Sequence, residues 1–213
     1  MKIYKDLFSK AINPENLFVA WDAFVGDKRK KPDVKKFEWN LEKNIFELHR
    51  VLKSKTYKHG PYTGFYIHDP KQRHIHKALV RDRVLHHAIF SVINPIFEPT
   101  FISTSFSCRV GLGTHKGVEF LRKTIRKVSK NYRKPCFVLK CDIKKFFDSV
   151  NHKILLSVME RRIKDKEMMW LIREITESYP ASFGERERES KYRPKRHSHW
   201  KPDLAAFCQY LYE

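Results

Sequence analysis

The sequence lacks several features that would each define a class of protein. Its four cysteines form no Cys-x-x-Cys pair, which argues against a disulfide scaffold or a zinc ribbon. No apolar run approaches the ~20 residues of a membrane span, and the N-terminus has no signal-peptide stretch. No internal repeat is visible. We therefore expect a cytoplasmic protein with reduced thiols and no membrane partner.

Acidic residues are also scarce, with 24 Asp and Glu against 44 Lys and Arg, a net charge of +20. Such an excess predicts a polyanionic partner, and nucleic acid is the usual one. Residues 185–213 hold seven cations and five acids, so nearly all of the excess lies in residues 1–184. The 41% of hydrophobic residues, with 16 Phe, suffices for a core and excludes wholesale disorder.

The spacing of apolar residues predicts an α+β fold. Helices are predicted over residues 1–24, 35–53, 76–93, 115–130 and 166–178. Asn94-Pro95 should end the third of these, and Asp148-Ser149 should cap a further helix. Glycine and proline punctuate β-prone residues around 57–67, which predicts a hairpin, with a turn at Asp69-Pro70. The apolar run 136–142 predicts a buried central strand that ends at Asp142.

Three groups of residues are candidates for chemistry. A carboxylate at the end of a central strand, as expected for Asp142, suits a metal ligand, although Asp is also a common turn residue. The histidines at 74, 76, 86 and 87 could bind a metal, but their spacing also suits packed or exposed side chains, which we favour. The helix from residue 115 onward, which we extend to 134, carries eight cations and one acid, Glu119. That bias favours contact with phosphates over an ordinary solvated face.

Three segments resemble motifs of reverse transcriptases from prokaryotic retroelements, such as group II introns, retrons and diversity-generating retroelements. The segment VLKCDIKKFFDSVNHKIL, residues 138–155, resembles their first catalytic motif. DPKQRHIHKALVRDRVLHHAI, residues 69–89, resembles the fingers motif, and SFSCRVGLGTHKGV, residues 105–118, resembles the motif that follows it. The resemblance implies the fingers and an incomplete palm of a right-hand polymerase. The expected regions are an N-terminal helical region (1–56), fingers (57–134), a partial palm (135–184) and an aberrant tail (185–213).

The resemblance also implies roles for single residues. Asp142 and the carbonyl of Ile143 would hold Mg²⁺, of which nucleotidyl transfer uses two ions about 4 Å apart. Phe147 would exclude the ribose 2′-hydroxyl, and Lys71 and Arg73 would hold the triphosphate. Residues expected to contact the template are Arg109, Lys116, Arg122, Lys123 and Arg126. The implied partners are an RNA template, a DNA or RNA primer and deoxynucleotides, and an accessory protein is possible.

Two expected motifs are missing. The sequence has no Asp-Asp dipeptide and therefore no Tyr-x-Asp-Asp box, and it has no motif like GIPxGNxxSQ. Codons for residues 197–213, read one base later, can encode IPIGNLTSQLFANIYM, which matches the second motif. The sequence therefore predicts a truncated and frameshifted reverse transcriptase, with a tail that is disordered or out of frame. We expect such a chain to bind RNA but to be inactive alone. The alternatives are a non-catalytic RNA-binding protein of the same fold and an unrelated basic ribonucleoprotein component.

Overall fold

The computed structural model describes residues 2–68, 72–107, 109–142 and 150–179. These residues form eight α-helices and one two-stranded antiparallel sheet. The bounds are α1 Leu7–Ile12, α2 Pro14–Val25, α3 Pro32–Glu38, α4 Leu41–Lys53, β1 Thr63–His68, β2 Gln72–Lys77, α5 Val80–Phe97, α6 Thr114–Val128, α7 His152–Glu160 and α8 Lys166–Ser178. The predicted α+β class is confirmed at the level of helices with a small sheet. In the described part of the chain, no helix is long and apolar enough to span a membrane.

Two of the predicted helices are each divided into two. Asn13 separates α1 from α2, and its side chain accepts a hydrogen bond from the backbone N–H of Glu15. Pro14 occupies the first turn of α2, where its missing N–H costs nothing. The second predicted helix breaks between α3 and α4, where the Asn44 amide donates to the carbonyl of Phe37. Both predictions were wrong at the break, because apolar spacing alone continues across a short turn.

Helix α5 is the central element of the core. It contacts α1, α2, α3 and α4, and Val84, Leu85, Ala88 and Ile89 are fully buried along it. The prediction that Asn94-Pro95 ends this helix was wrong, because the helix continues through the proline to Phe97. Burial of the last turn, with Phe97 1% exposed, offsets the hydrogen bond that proline cannot donate.

The start of the chain is tied to residues far along the sequence. Tyr4 pairs in parallel with Ile163, through hydrogen bonds of 2.9 Å to the carbonyl of Arg162 and from the N–H of Lys164. Asp165 then caps two helices at once. One carboxylate oxygen accepts the two N–H groups that begin α1, at 2.7 and 2.8 Å, and the other accepts two N–H groups of α8, at 3.0 Å each. Helix α8 thus packs into the same core as the N-terminal helices.

The boundaries predicted for the N-terminal, fingers, palm and tail regions stay a prediction.

The capping of α7 differs from the expectation. Asn151, and not Asp148-Ser149, occupies the N-cap position, and its side chain accepts from the N–H of Ile154 at 3.2 Å. The residues of the predicted cap lie outside the described ranges. The cap assignment was wrong because several polar residues precede this helix, and any of them satisfies the local rule.

The predicted hairpin exists, but it begins and ends later than expected. Its strands pair from Thr63 opposite Lys77 to His68 opposite Gln72. The predicted turn at Asp69-Pro70 lies outside the described residues. The second strand, QRHIHK, was missed because it is mostly polar, whereas a strand is predicted from an alternation of apolar and polar residues.

The expected buried strand at 136–142 is not found. These residues pair with no strand, and Phe137 and Leu139 are 95% and 88% exposed. A central strand is buried only when neighbouring strands bond to both of its edges and other elements cover its faces. In the described ranges the two strands present bond only to each other. The prediction was therefore wrong for the chain as it folds here.

Candidate nucleic-acid interface

Helix α6 carries four of the predicted template-binding residues. It begins after two glycines with positive φ, Gly111 (75°) and Gly113 (112°), a conformation that other residues rarely adopt. The predicted residues on it are Lys116, Arg122, Lys123 and Arg126. The acid of this helix, Glu119, pairs with Lys123 at 2.9 Å, and this hydrogen bond and charge lower the pKa of the Glu119 carboxyl. The helix therefore presents a large excess of positive charge.

The chain turns sharply back on itself at the C-terminal end of α6. Lys130, Asn131 and Tyr132 have φ values of 50°, 58° and 62°, three consecutive non-glycine residues in the left-handed region. The buried Ser129 stabilises this turn, since its hydroxyl accepts the N–H of Tyr132 at 2.9 Å and its carbonyl accepts two further N–H groups. Asn131 fixes the last turn of the helix from the other side. Its N–H donates to the carbonyl of Arg126, and its side-chain oxygen accepts from the Arg126 guanidinium, both at 2.8 Å.

The turn and the helix together line a shallow, open depression of about 300 Å³. We call it the α6 basin, and its residues are Lys123, Arg126, Lys127, Lys130 and Asn131. Two of these, Lys123 and Arg126, were predicted as site residues. Lys127 and Lys130 were predicted only as part of the basic face of the helix, and Asn131 was not predicted. Lys116 and Arg122 lie outside the basin on the same helix. Four cations surround this depression, one of them, Lys123, paired with Glu119, and the net positive charge attracts an anion such as a phosphate group.

The other side of α6 is apolar and open. No residue of the helix is buried, and Val118, Phe120, Leu121 and Val128 are each between 47% and 61% exposed. Phe120 contacts the ring of Phe106, with ring centroids 5.6 Å apart. The helix is thus amphipathic, with its cations and its apolar side chains both accessible.

Most of the residues that were predicted to hold metal and nucleotide lie outside the described ranges. Lys71, Ile143, Phe147 and the side chain of Arg73 lie outside the described residues. Asp142 is exposed at the end of the segment 135–142. In the described ranges, no three His, Cys, Asp or Glu side chains are placed to hold a metal ion. A single exposed carboxylate does not fit two Mg²⁺ ions, which need several oxygen ligands. The metal and nucleotide assignments stay predictions.

Arg109 is held by the loop that contains it. Its guanidinium donates to the Glu98 carboxylate at 2.8 Å and to the carbonyls of Ser105 and Ile102 at 2.9 and 3.1 Å. It also lies over the ring of Phe101, 5.6 Å from the centroid. These contacts give Arg109 a structural role in ordering residues 98–107, while its predicted contact with the template stays a prediction.

The candidate histidines occupy two different elements. His86 and His87 are buried on α5, in agreement with the packed interpretation, and His74 and His76 lie on β2. Burial lowers the pKa of His86 to about 3, with smaller effects of nearby histidines and Arg83. Burial and the charges of Lys28 and Arg83 lower the pKa of His87 to about 4. Both imidazoles are therefore neutral at pH 7.

The buried histidines should make the protein sensitive to mild acid. In the unfolded chain each titrates near pH 6.5, so below that pH the unfolded state binds more protons than the folded state. Stability should be complete above about pH 6.5 and should fall at lower pH, by up to about 1.4 kcal/mol per pH unit for each histidine. Urea unfolding between pH 7 and pH 5 measures this slope.

The variant His86→Gln separates this effect from other acid effects. Glutamine keeps an N–H donor near the position of Nε2 but does not titrate. Its free energy of unfolding should fall less steeply between pH 7 and pH 5 than that of the wild type, and His87→Gln should show a similar reduction. Parallel pH curves for the wild type and both variants would contradict the assigned pKa values.

Comparison with known proteins supports the resemblance inferred from the three motifs. The chain is 28% identical over 134 residues to the group II intron-encoded protein LtrA of Lactococcus lactis subsp. cremoris, and the match covers 62% of the chain and 21% of LtrA. It is 26% identical over 140 residues to nuclear intron maturase 1, mitochondrial, of Arabidopsis thaliana, covering 64% of the chain and 18% of the maturase. Nuclear intron maturase 2, mitochondrial, of the same plant is 21% identical over 175 residues, covering 72% and 23%. No protein-family model matches the chain.

These relatives support a retroelement reverse transcriptase-like protein, as the motifs predicted. The matched part of the chain spans about a fifth of the length of these relatives. The helices and the small sheet are compatible with a partial domain of that kind.

Proposed function

We propose that the chain is the RNA-binding fingers region and first part of the palm of a right-hand, retroelement-type polymerase. In this proposal the α6 basin holds the phosphate backbone of the RNA. The observation that carries it is the grouping of four cations around one shallow, open depression. The net charge of +20 and the similarity to intron-encoded proteins and intron maturases support the same ligand.

The exposed apolar surfaces support the palm assignment. The apolar side of α6 and the segment 136–142 are both accessible, as expected for elements that a further part of the palm would cover. The described residues supply a single candidate catalytic carboxylate, Asp142. We therefore propose that these residues bind RNA and that DNA synthesis requires carboxylates from elsewhere.

Charge reversal in the basin tests the RNA site. The double variant Arg126→Glu/Lys127→Glu should weaken binding of a single-stranded RNA at least about tenfold at low salt, because two phosphate contacts become repulsive. It should also reduce the slope of log affinity against log salt by about 1.4, since single strands contribute about 0.7 for each phosphate contact. Fluorescence anisotropy of a labelled RNA over a series of salt concentrations measures both quantities.

The matched control is Lys35→Glu/Lys36→Glu on α3. It makes the same change in net charge on two exposed lysines away from the basin. We expect a clearly smaller loss of affinity than in the basin variant. Equal losses in the two variants would show that net charge, and not the basin, governs binding.

A non-catalytic RNA-binding protein of the same fold is the second candidate, and the single described carboxylate favours it. Both candidates predict RNA binding at α6. The nucleotide sequence after the codon for Glu213 separates them. A Tyr-x-Asp-Asp box in the +1 frame supports the polymerase, and its absence there supports the non-catalytic protein.

A further inference from the structure

A continuous series of aromatic and imidazole rings runs from the hairpin surface into the core. Each ring contacts the next, with centroids between 4.4 and 5.8 Å apart. In order, the rings are Tyr66, His74, His76, Tyr179, Tyr62, His59 and His86. The inner end is anchored, because the Nε2 atoms of His59 and His86 lie 3.2 Å apart and His86 is buried on α5.

The outer end of the series is exposed and held in place. Tyr66 is 60% exposed, and its ring stacks on the exposed His74, with centroids 4.5 Å apart and an interplanar angle of 24°. His74 in turn meets the edge of His76, at 4.4 Å. Gly64 makes room for this arrangement, since a Cβ at that position would lie 2.7 Å from Nε2 of His74. We call Tyr66, His74 and His76 the ring platform.

The ring platform lies on one face of the hairpin only. Side chains alternate between the two faces of a strand, and the register places Tyr66 opposite His74 and Gly64 opposite His76. The predicted nucleotide-binding position, 73, pairs with Ile67 and is not one of the platform residues.

We propose that the ring platform binds unpaired bases of single-stranded RNA by stacking on Tyr66. A ring that is more than half exposed and already ordered by a stacked neighbour loses little freedom when a base stacks on it. Stacking of bases on aromatic side chains is the usual means by which proteins hold single strands, and it does not depend on sequence. The strongly basic chain supplies the attraction for the backbone. This inference rests on the proposed RNA-binding function and adds a contact with unpaired bases.

The test uses the full chain and a 12-nucleotide single-stranded RNA with a central 2-aminopurine. Tyr66→Ala should weaken binding by roughly 5- to 160-fold, the range expected for loss of one stacked base. The salt slope should not change, because no charge is removed. Binding of a blunt RNA duplex, whose bases are already stacked on each other, should be unaffected. Quenching of the 2-aminopurine fluorescence on binding should be lost.

Substitutions at the same position show whether the ring face matters. Tyr66→Trp should keep the affinity and the quenching, and Tyr66→Leu should lose both. Trp39→Ala is the matched control, because Trp39 is 88% exposed on a different part of the chain, and it should bind as the wild type does. Gly64→Ala, which displaces His74, should weaken binding in the same direction as Tyr66→Ala.

The outcomes distinguish a failure of the ring-platform proposal from a failure of the proposed function. If Tyr66→Ala binds like the wild type while Arg126→Glu/Lys127→Glu loses affinity, the platform is wrong and RNA binding at α6 stands. If Tyr66→Leu binds as well as Tyr66→Trp, stacking is wrong. If the wild-type chain binds no RNA, the proposed function fails, and the platform fails with it.

Discussion

Replacing Asp82 with alanine should destabilise the protein by about 3–5 kcal/mol, the range for removing one member of a buried charged network. Asp82 is fully buried. Its carboxylate accepts the Tyr57 hydroxyl, the N–H of Gly60 and Nε of Arg81, each at 2.9 Å. Alanine would leave the buried hydroxyl and the partly buried N–H without an acceptor, and each such loss is costly. Urea unfolding followed by circular dichroism measures the change.

Two companion variants test this network. Tyr57→Phe removes one donor and keeps the acceptor bonded to the others, so it should cost only about 1 kcal/mol. Burial and the nearby Asp82 charge raise the pKa of Tyr57, so the hydroxyl stays a donor over the accessible pH range. The double variant should cost less than the sum of the single changes, because both remove the same bond. If Asp82→Ala costs no more than Tyr57→Phe, the network does not stabilise the fold as described.

Replacing Asp165 with alanine should destabilise the protein by about 1–4 kcal/mol, because two helices lose their N-caps together and one cap is worth about 0.5–2 kcal/mol. Asp6, at the N-cap position of α1, makes no side-chain cap, so α1 depends on Asp165. Burial alone would raise the pKa of the Asp165 carboxyl, but its four backbone N–H bonds outweigh burial and lower it. This stabilisation is present above the carboxyl's unfolded pKa and is lost as the pH falls through the folded value. Thermal and urea unfolding at pH 7 measure the loss.

Two further variants provide a comparison for the loss of stability in Asp165→Ala. Asn151→Ala removes the single cap of α7 and should cost about 1 kcal/mol. Asp165→Asn keeps one carbonyl oxygen, so it should cost less than Asp165→Ala. A loss in Asp165→Ala no greater than that in Asn151→Ala would contradict the double cap.

Local sequence signals predicted the elements whose cause is local. Helix α8 was predicted at 166–178, as observed, because its apolar spacing begins directly after a capping Asp. The break at Asn13 was missed although Asn-Pro is a typical helix start, because the apolar spacing continued through it. Strand β2 was missed because its polar residues show no apolar alternation. The segment 136–142 misled the prediction because a strand also needs neighbours, which composition does not reveal.

The candidate site, like the fold, was predictable from the sequence only in part. The cations of α6 were predictable from composition, and Lys123 and Arg126 do line the α6 basin. Lys130 and Asn131 join the basin only because three non-glycine residues adopt positive φ, against their intrinsic preference. The ring series that supports the platform could not be predicted either, since residues of β1, β2 and α5 and the residue that follows α8 meet only in the folded chain.

The double cap at Asp165 has a consequence for the order in which the chain folds during translation. Helix α1 is complete at residue 12, but its capping carboxylate follows 158 residues after Leu7. At 5–20 residues per second, the ribosome needs roughly 8–30 s to deliver it. Short helices are marginal on their own, so we expect α1 to become stable only after Asp165 and α8 have been synthesised. Helix α1, although synthesised first, should therefore gain its cap late.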